Sequence, residues 1–204
     1  SDVYKRQLLP LTLLNQPWLG DQKILMLEPR RLAARTIAQR MAQLHGDELG
    51  QTIGYRVRFE SKVSAQTKIE VLTEGILTRM LQSDNALEGV GLVIFDEFHE
   101  RSLHADLALA LCRETQTVLR QDLRILIMSA TLNLPKLSSL LDAPIIESKG
   151  RQYPVEIRYV GPTDEMFLPE TTARTVVSAV QENDGDTLVF LPGEGEIRKC
   201  AEIL

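Results

Sequence analysis

Apolar and polar residues fall in short blocks along this chain, and one block ends more abruptly than the rest. Leu92-Val93-Ile94-Phe95 is followed at once by Asp96-Glu97-Phe98-His99. A continuous apolar run suits a strand buried on both faces, as in a parallel sheet. The two carboxylates then emerge at the strand's carboxyl end, the edge where open α/β sheets bind ligands. Lys23–Leu27 predicts a second strand, closed by Glu28-Pro29. Residues 30–44 predict a helix, with Leu32, Ile37, Met41 and Leu44 on one side and Gly46 as its stop. Residues 54–59 alternate and predict an exposed strand or loop edge. Residues 68–72 predict a strand, after which Thr73-Glu74-Gly75 opens a helix to Leu81, and 83–91 a loop. Leu103, Leu107, Ala110 and Leu111 fall at i, i+4, i+7 and i+8, predicting one buried helical face. Residues 124–128 predict a fourth strand ending in Ser129-Ala130-Thr131, and 133–141 a short helix. Strands alternating with helices predict βαβ units in a parallel sheet.

The pattern changes toward both ends. Residues 8–14 read as the end of a helix without a capped start. Residues 1–7 match no element and are read as non-native sequence. Beyond Ala143 the chain becomes turn-rich. Residues 155–160 alternate as a strand, 171–181 predict a helix, 187–191 an apolar strand, and a last helix starts near Glu194. The expected organisation is a first α/β domain over 8–146, a linker over 147–169, and the beginning of a second α/β domain over 170–204.

Composition narrows the function. Apolar residues make up 44% and charged residues 25% of the 204 positions, ordinary for a soluble globular protein. No apolar run approaches the ~20 residues a membrane span needs. Cys112 and Cys200 stand in no paired motif, which fits a reducing compartment and predicts a cytoplasmic protein. The net charge of −5 argues against nucleic-acid binding until it is divided along the chain. Residues 23–79 carry ten Lys/Arg against six Asp/Glu, whereas residues 80–204 carry eleven against twenty. Phosphate binding depends on such a local basic patch.

The candidate chemistry follows from these placements. One carboxylate of Asp96-Glu97 can hold a hydrated Mg²⁺, and the other can take a proton from an attacking water. Zinc is the rival, since His99-Glu100 precedes His104. A spacing of five turns the two histidines about 140° apart on a helix, which excludes the H-E-x-x-H geometry. Pro29 stands where a helix N-terminus begins, and such N-termini attract phosphate. Arg30, Arg31, Arg35 and Arg40 run along that helix with no acid among them. Thr73-Glu74-Gly75 offers a second N-terminus, so two could grip successive phosphates of one strand. The hydroxyls of Ser129-Ala130-Thr131 could bridge the carboxylates to that edge.

Taken together, Glu-Pro-Arg-Arg, Thr-Glu-Gly, Asp-Glu-Phe-His, Ser-Ala-Thr and Leu188-Val189-Phe190-Leu191-Pro192-Gly193 resemble, in order and spacing, the DEAH-type superfamily 2 helicases. The resemblance covers residues 8–204, with Phe98 in place of the family's usual Ala. It implies a RecA-like (P-loop NTPase type) parallel sheet with helices on both faces, plus the start of a second RecA-like domain. It implies ATP and Mg²⁺ as cofactors and single-stranded RNA, or alternatively DNA, as partner. Asp96 would hold Mg²⁺ through water, Glu97 would position and deprotonate the attacking water, and His99 would couple the nucleotide to Ser129, Ala130 and Thr131. Pro29, Arg30, Arg31, Thr73, Glu74 and Gly75 would line the nucleic-acid path. Two departures stand against it. No G-x-x-x-x-G-K-[ST] loop occurs, and the family's second-domain arginines are absent. The expectation is a truncated piece of an ATP-driven RNA helicase that does not itself turn over ATP. The alternatives are a non-catalytic nucleic-acid-binding module and a DNA translocase.

Overall fold

The apolar run before Asp96 becomes strand β5 (Val90–Phe95), and all six of its residues are buried. The computed structural model describes residues 2–129, 134–147, 153–161, 164 and 167–204. Beside β5 lie β1 (Lys23–Leu27) on one side and β6 (Arg124–Ile127) on the other. β2 (Ile53–Val57), β3 (Glu60–Lys62) and β4 (Ile69–Leu72) complete a six-stranded sheet in the order β3-β2-β4-β1-β5-β6. Every pairing is parallel except the β2–β3 hairpin. The four strands expected over 23–27, 68–72, 92–95 and 124–128 are all present. Residues 54–59, expected at an exposed edge, instead supply an interior strand between β3 and β4. Gly54 is required there, because a β-carbon would stand 2.4 Å from the Lys62 carbonyl oxygen. Only the end of that stretch is exposed, at Arg58 and Phe59.

Strand residues alternate between two cores. Ile24, Met26, Leu92 and Ile94 face one side, together with Ile37 and Met41. That side is covered by α1 (Asp2–Leu13) and α2 (Arg31–His45). Leu25, Leu27, Val93 and Phe95 face the other, under α3 (Glu74–Ser83) and α4 (Leu103–Glu114). α5 (Leu134–Leu141) follows β6.

Several details differ from expectation for packing reasons. α1 begins at Asp2, so residues 2–7 continue the helix that 8–14 predicted. α2 starts at Arg31 with Arg30 as its N-cap, leaving Pro29 outside the first turn; Gly46 ends it at φ 85°. Its buried stripe is Ala34, Ile37, Ala38, Met41 and Ala42, while Leu32 is 79% exposed. In α4 the buried stripe is Ala105, Ala108, Leu109 and Cys112, and Leu103 and Leu107 are exposed. In both helices a line of small residues permits close approach to the layer beneath, which the larger leucines would prevent.

The chain divides into two compact units, residues 1–150 and 151–204. In the second, α6 (Leu168–Glu182) packs against α7 (Glu194–Ile203), with Ala173 and Cys200 buried. The strands expected over 155–160 and 187–191 do not form among the described residues, and Leu188 and Phe190 are exposed. Neither alternation nor an apolar run makes a strand without a neighbour to take its backbone hydrogen bonds. Among the described residues no helix is long and apolar enough to cross a membrane.

Candidate functional site

Parallel strands end together, so the residues after β4, β1, β5 and β6 share one sheet edge. The backbone bonds there tie them in sequence: Glu28 N–H donates to the Leu72 carbonyl at 2.9 Å, Asp96 N–H to Leu27 at 3.1 Å, and Met128 N–H to Phe95 at 2.8 Å. Because Leu27 pairs with Phe95, Glu28 stands opposite Asp96 one step further on. Alternation turns both toward the face covered by α1 and α2.

Glu28 is 2% exposed and its Oε2 has no hydrogen-bond partner among the described residues. Burial pushes its carboxyl from the ordinary 4.5 up to about 7, reinforced by the charge of Asp96 and opposed by Arg6 and a backbone bond from Arg30. Arg6, on α1, reaches this edge: its Nε lies 2.9 Å from Asp96 Oδ2, and its Nη2 pairs with Glu97. The chain leaves β5 through Glu97, whose φ of 50° is left-handed, into a single 3₁₀ turn Phe98–Glu100. His99 Nδ1 comes within 3.3 Å of Glu97 Oε2. Phe98 is buried, packs edge-on to Phe95 at 6.0 Å between centroids, and its N–H donates to the Met128 carbonyl at 3.2 Å. The family's usual Ala could not fill that space.

The structure thus brings Asp96, Glu97 and His99 together. It also brings the basic N-terminus of α2 to the same turn: Arg30 Nη2 donates to Glu100 Oε1 at 2.7 Å. Thr73 is the N-cap of α3 without a side-chain cap bond, and Glu74 accepts from the Ser102 hydroxyl. Around Gly75 the space is open. Arg31 turns elsewhere, donating to the Arg58 carbonyl at 3.0 Å. This sets it beside a groove of about 550 Å³ lined by Arg56, Arg58, Phe59, Ile76 and Arg79. Ser129 lies at the end of β6, its buried Oγ without a hydrogen-bond partner among the described residues. Ala130 and Thr131, expected to couple with it, lie outside the described residues.

Sequence reasoning read Glu100, with His99, as a link from the carboxylates to neighbouring elements, and it missed Arg6, the burial of Glu28, Ser102 and the Arg56–Phe59 segment. Only the last carried a local signal, arginines interleaved with aromatic residues. The carboxylates of Asp96 and Glu97 offer only oxygen, which suits a hard cation such as Mg²⁺. Among the described residues no three His, Cys, Asp or Glu converge as a metal-ligating group. Mg²⁺ needs no such group, since it takes one or two carboxylates, keeps several waters, and borrows phosphate oxygens from its nucleotide.

Residues 8–140 match the family model described as DEAD/DEAH box helicase. The chain is 50% identical over 197 residues to the ATP-dependent RNA helicase HrpB of Escherichia coli (strain K12), covering 96% of this chain and 24% of that protein. It is 42% identical over 186 residues to the ATP-dependent RNA helicase HrpA of the same organism, covering 87% and 14%. The crystal structure of the Escherichia coli DEAH/RHA helicase HrpB superposes with a TM-score of 0.90, covering 98% of this chain and 26% of that one. The chain therefore spans about a quarter of the length of HrpB.

Proposed function

Because this chain belongs to the DEAD/DEAH box helicase family, we propose that the protein carrying it is a cytoplasmic ATP-dependent RNA helicase, and that this chain supplies its hydrolytic carboxylates and part of its nucleic-acid path. The observation that carries the reading is the shared sheet edge. Asp96 and Glu97 follow β5, Arg30 caps α2 and Glu74 begins α3, all at that edge. Asp96 is the residue suited to hold Mg²⁺ through water; the ion would neutralise phosphate charge. Glu97, held off the strand by its left-handed backbone and 3.3 Å from His99, is the residue suited to orient and deprotonate the attacking water. Arg30, Arg31 and the α2 and α3 N-termini offer positive charge and free N–H groups to backbone phosphates. Pro29 sets the entry to α2, and the openness at Gly75 lets a phosphate approach α3. Ser129, with Ala130 and Thr131, would relay the nucleotide state across β6. Contacts of this kind read phosphate and sugar, not base.

The test is ATP turnover by the full-length protein with single-stranded RNA, single-stranded DNA or neither. Stimulation by RNA above DNA is the expected result. Equal stimulation by DNA would make it a general translocase, and tight RNA binding without turnover would make it a binding module.

A further inference from the structure

We propose that Glu100 is an internal stand-in for a nucleic-acid phosphate: it occupies Arg30 when the strand is absent, is displaced when the strand binds, and thereby ties occupancy of the nucleic-acid edge to the turn that carries Glu97 and His99. This inference rests on the reading of Arg30 as a phosphate contact.

The turn is short, and each part of it is anchored. Glu97 and Arg101, at φ 50° and 48°, bracket Phe98–Glu100 with left-handed backbone at two non-glycine residues. Glu100 N–H donates to the Glu97 carbonyl at 2.9 Å, so a displacement of one reaches the other through a single hydrogen-bonded turn. Phe98 pins the middle into the core, and the Arg101 guanidinium lies 5.7 Å over its ring. At the far end the Ser102 hydroxyl donates to Glu74 and accepts from the Ala105 N–H at 2.9 Å, capping α4. One turn thus touches both helices assigned to the nucleic-acid path, α2 through Glu100 and α3 through Ser102.

The Glu100 contact is the exchangeable one. Arg30's side chain is 72% exposed and Glu100's 34%, so their pair is solvent-screened and contributes little to stability. A backbone phosphodiester carries the same single charge as the carboxylate and accepts the same guanidinium in a bidentate fit, and the neighbouring phosphates of a strand add attraction that one carboxylate lacks. Ser102, in contrast, holds a cap that a helix needs whatever binds outside. The device is a weak carboxylate bond, seated where a phosphate would sit and attached to the hydrolytic turn.

Binding of a fluorescein-labelled oligouridylate to this chain, followed by anisotropy, tests it. Glu100→Gln is expected to bind about two- to fivefold tighter than the unaltered chain, and Arg30→Ala weaker. In the Arg30→Ala background, Glu100→Gln is expected to gain nothing. Glu100→Asp separates competition from general charge: it keeps the negative charge but shortens the reach, and is expected to bind as tightly as Glu100→Gln. An unaltered chain that fails to bind RNA overturns the proposed function and this inference with it. Binding by the unaltered chain, with Glu100→Gln no tighter or its gain persisting without Arg30, overturns this inference alone. In the full-length protein, Glu100→Gln is expected to lower the ratio of RNA-stimulated to RNA-free ATP turnover; an unchanged ratio overturns the link to the turn. Melting curves of both Glu100 variants exclude a folding defect as the cause.

Discussion

Replacing Glu28 by Gln is expected to stabilise the protein, increasingly as the pH rises from 4.5 to 7 and fully above that. Glu28 is buried at the end of β1 opposite Asp96, and its carboxyl is pushed from 4.5 to about 7. A raised carboxyl means that the folded state keeps a proton the unfolded chain has already released. Below pH 4.5 both states hold it and nothing is lost. Between pH 4.5 and 7 stability falls, and above pH 7 the whole penalty is present. At about 1.36 kcal/mol per pH unit, that penalty is about 3 kcal/mol. Glutamine keeps the oxygen that accepts from the Arg30 N–H, sets an amide where Oε2 has no partner, and carries no charge. Thermal melts at pH 4 and pH 8 measure the effect. The variant should match the parent at pH 4 and melt roughly 6–12 °C higher at pH 8, given about 2–4 °C per kcal/mol for a unit of this size. A variant no more stable at pH 8, or more stable by the same amount at both values, would refute the burial argument.

Other expectations follow from packing and charge. Glu70→Gln should cost about 1–3 kcal/mol at pH 7 by urea unfolding, with the difference vanishing as pH falls well below 4.5. Burial pushes the Glu70 carboxyl up, but bonds from Arg56 at 2.6 Å and Lys23 at 2.9 Å outweigh it and hold it below its ordinary range. Its contribution is therefore present above the unfolded value and lost on acidification. Gly54→Ala should destabilise the sheet by about 1–3 kcal/mol, because its β-carbon would meet backbone oxygen rather than a movable side chain. A melting temperature unchanged within a degree would count against the close approach of β2 and β3. Phe98→Ala should cost about 3–5 kcal/mol in unfolding free energy, and a loss below 1 kcal/mol would contradict its role as the turn's anchor.

What the sequence reveals differs from element to element. The strands and the acids after β5 were legible because a run of Leu, Val, Ile and Phe admits few environments, and polar groups straight after it must leave the core. Which face of a helix is buried was not. In α2 and α4 a stripe of alanines competes with a stripe of leucines. Hydrophobicity favours the leucines, whereas the space between layers admits the alanines. β2 was misjudged because Arg56 made it look exposed, while Glu70 on the neighbouring strand neutralises that arginine. The site shows the same division. Asp96, Glu97 and His99 are adjacent in sequence and were found together. Arg30 and Glu100 lie 70 residues apart, and Ser102 and Glu74 lie 28 apart; no local pattern announces either pair. Arg6 was set aside with its neighbours, yet the fold brings it onto both carboxylates.

The most direct measurement is single-turnover ATP hydrolysis by the full-length protein carrying Glu97→Gln, with RNA affinity measured alongside. Loss of a general base is expected to slow the chemical step by about 10²–10⁴, while RNA binding stays within about twofold of the unaltered protein. Hydrolysis at an undiminished rate would remove Glu97 from the chemistry and with it the assignment of this sheet edge as the hydrolytic site.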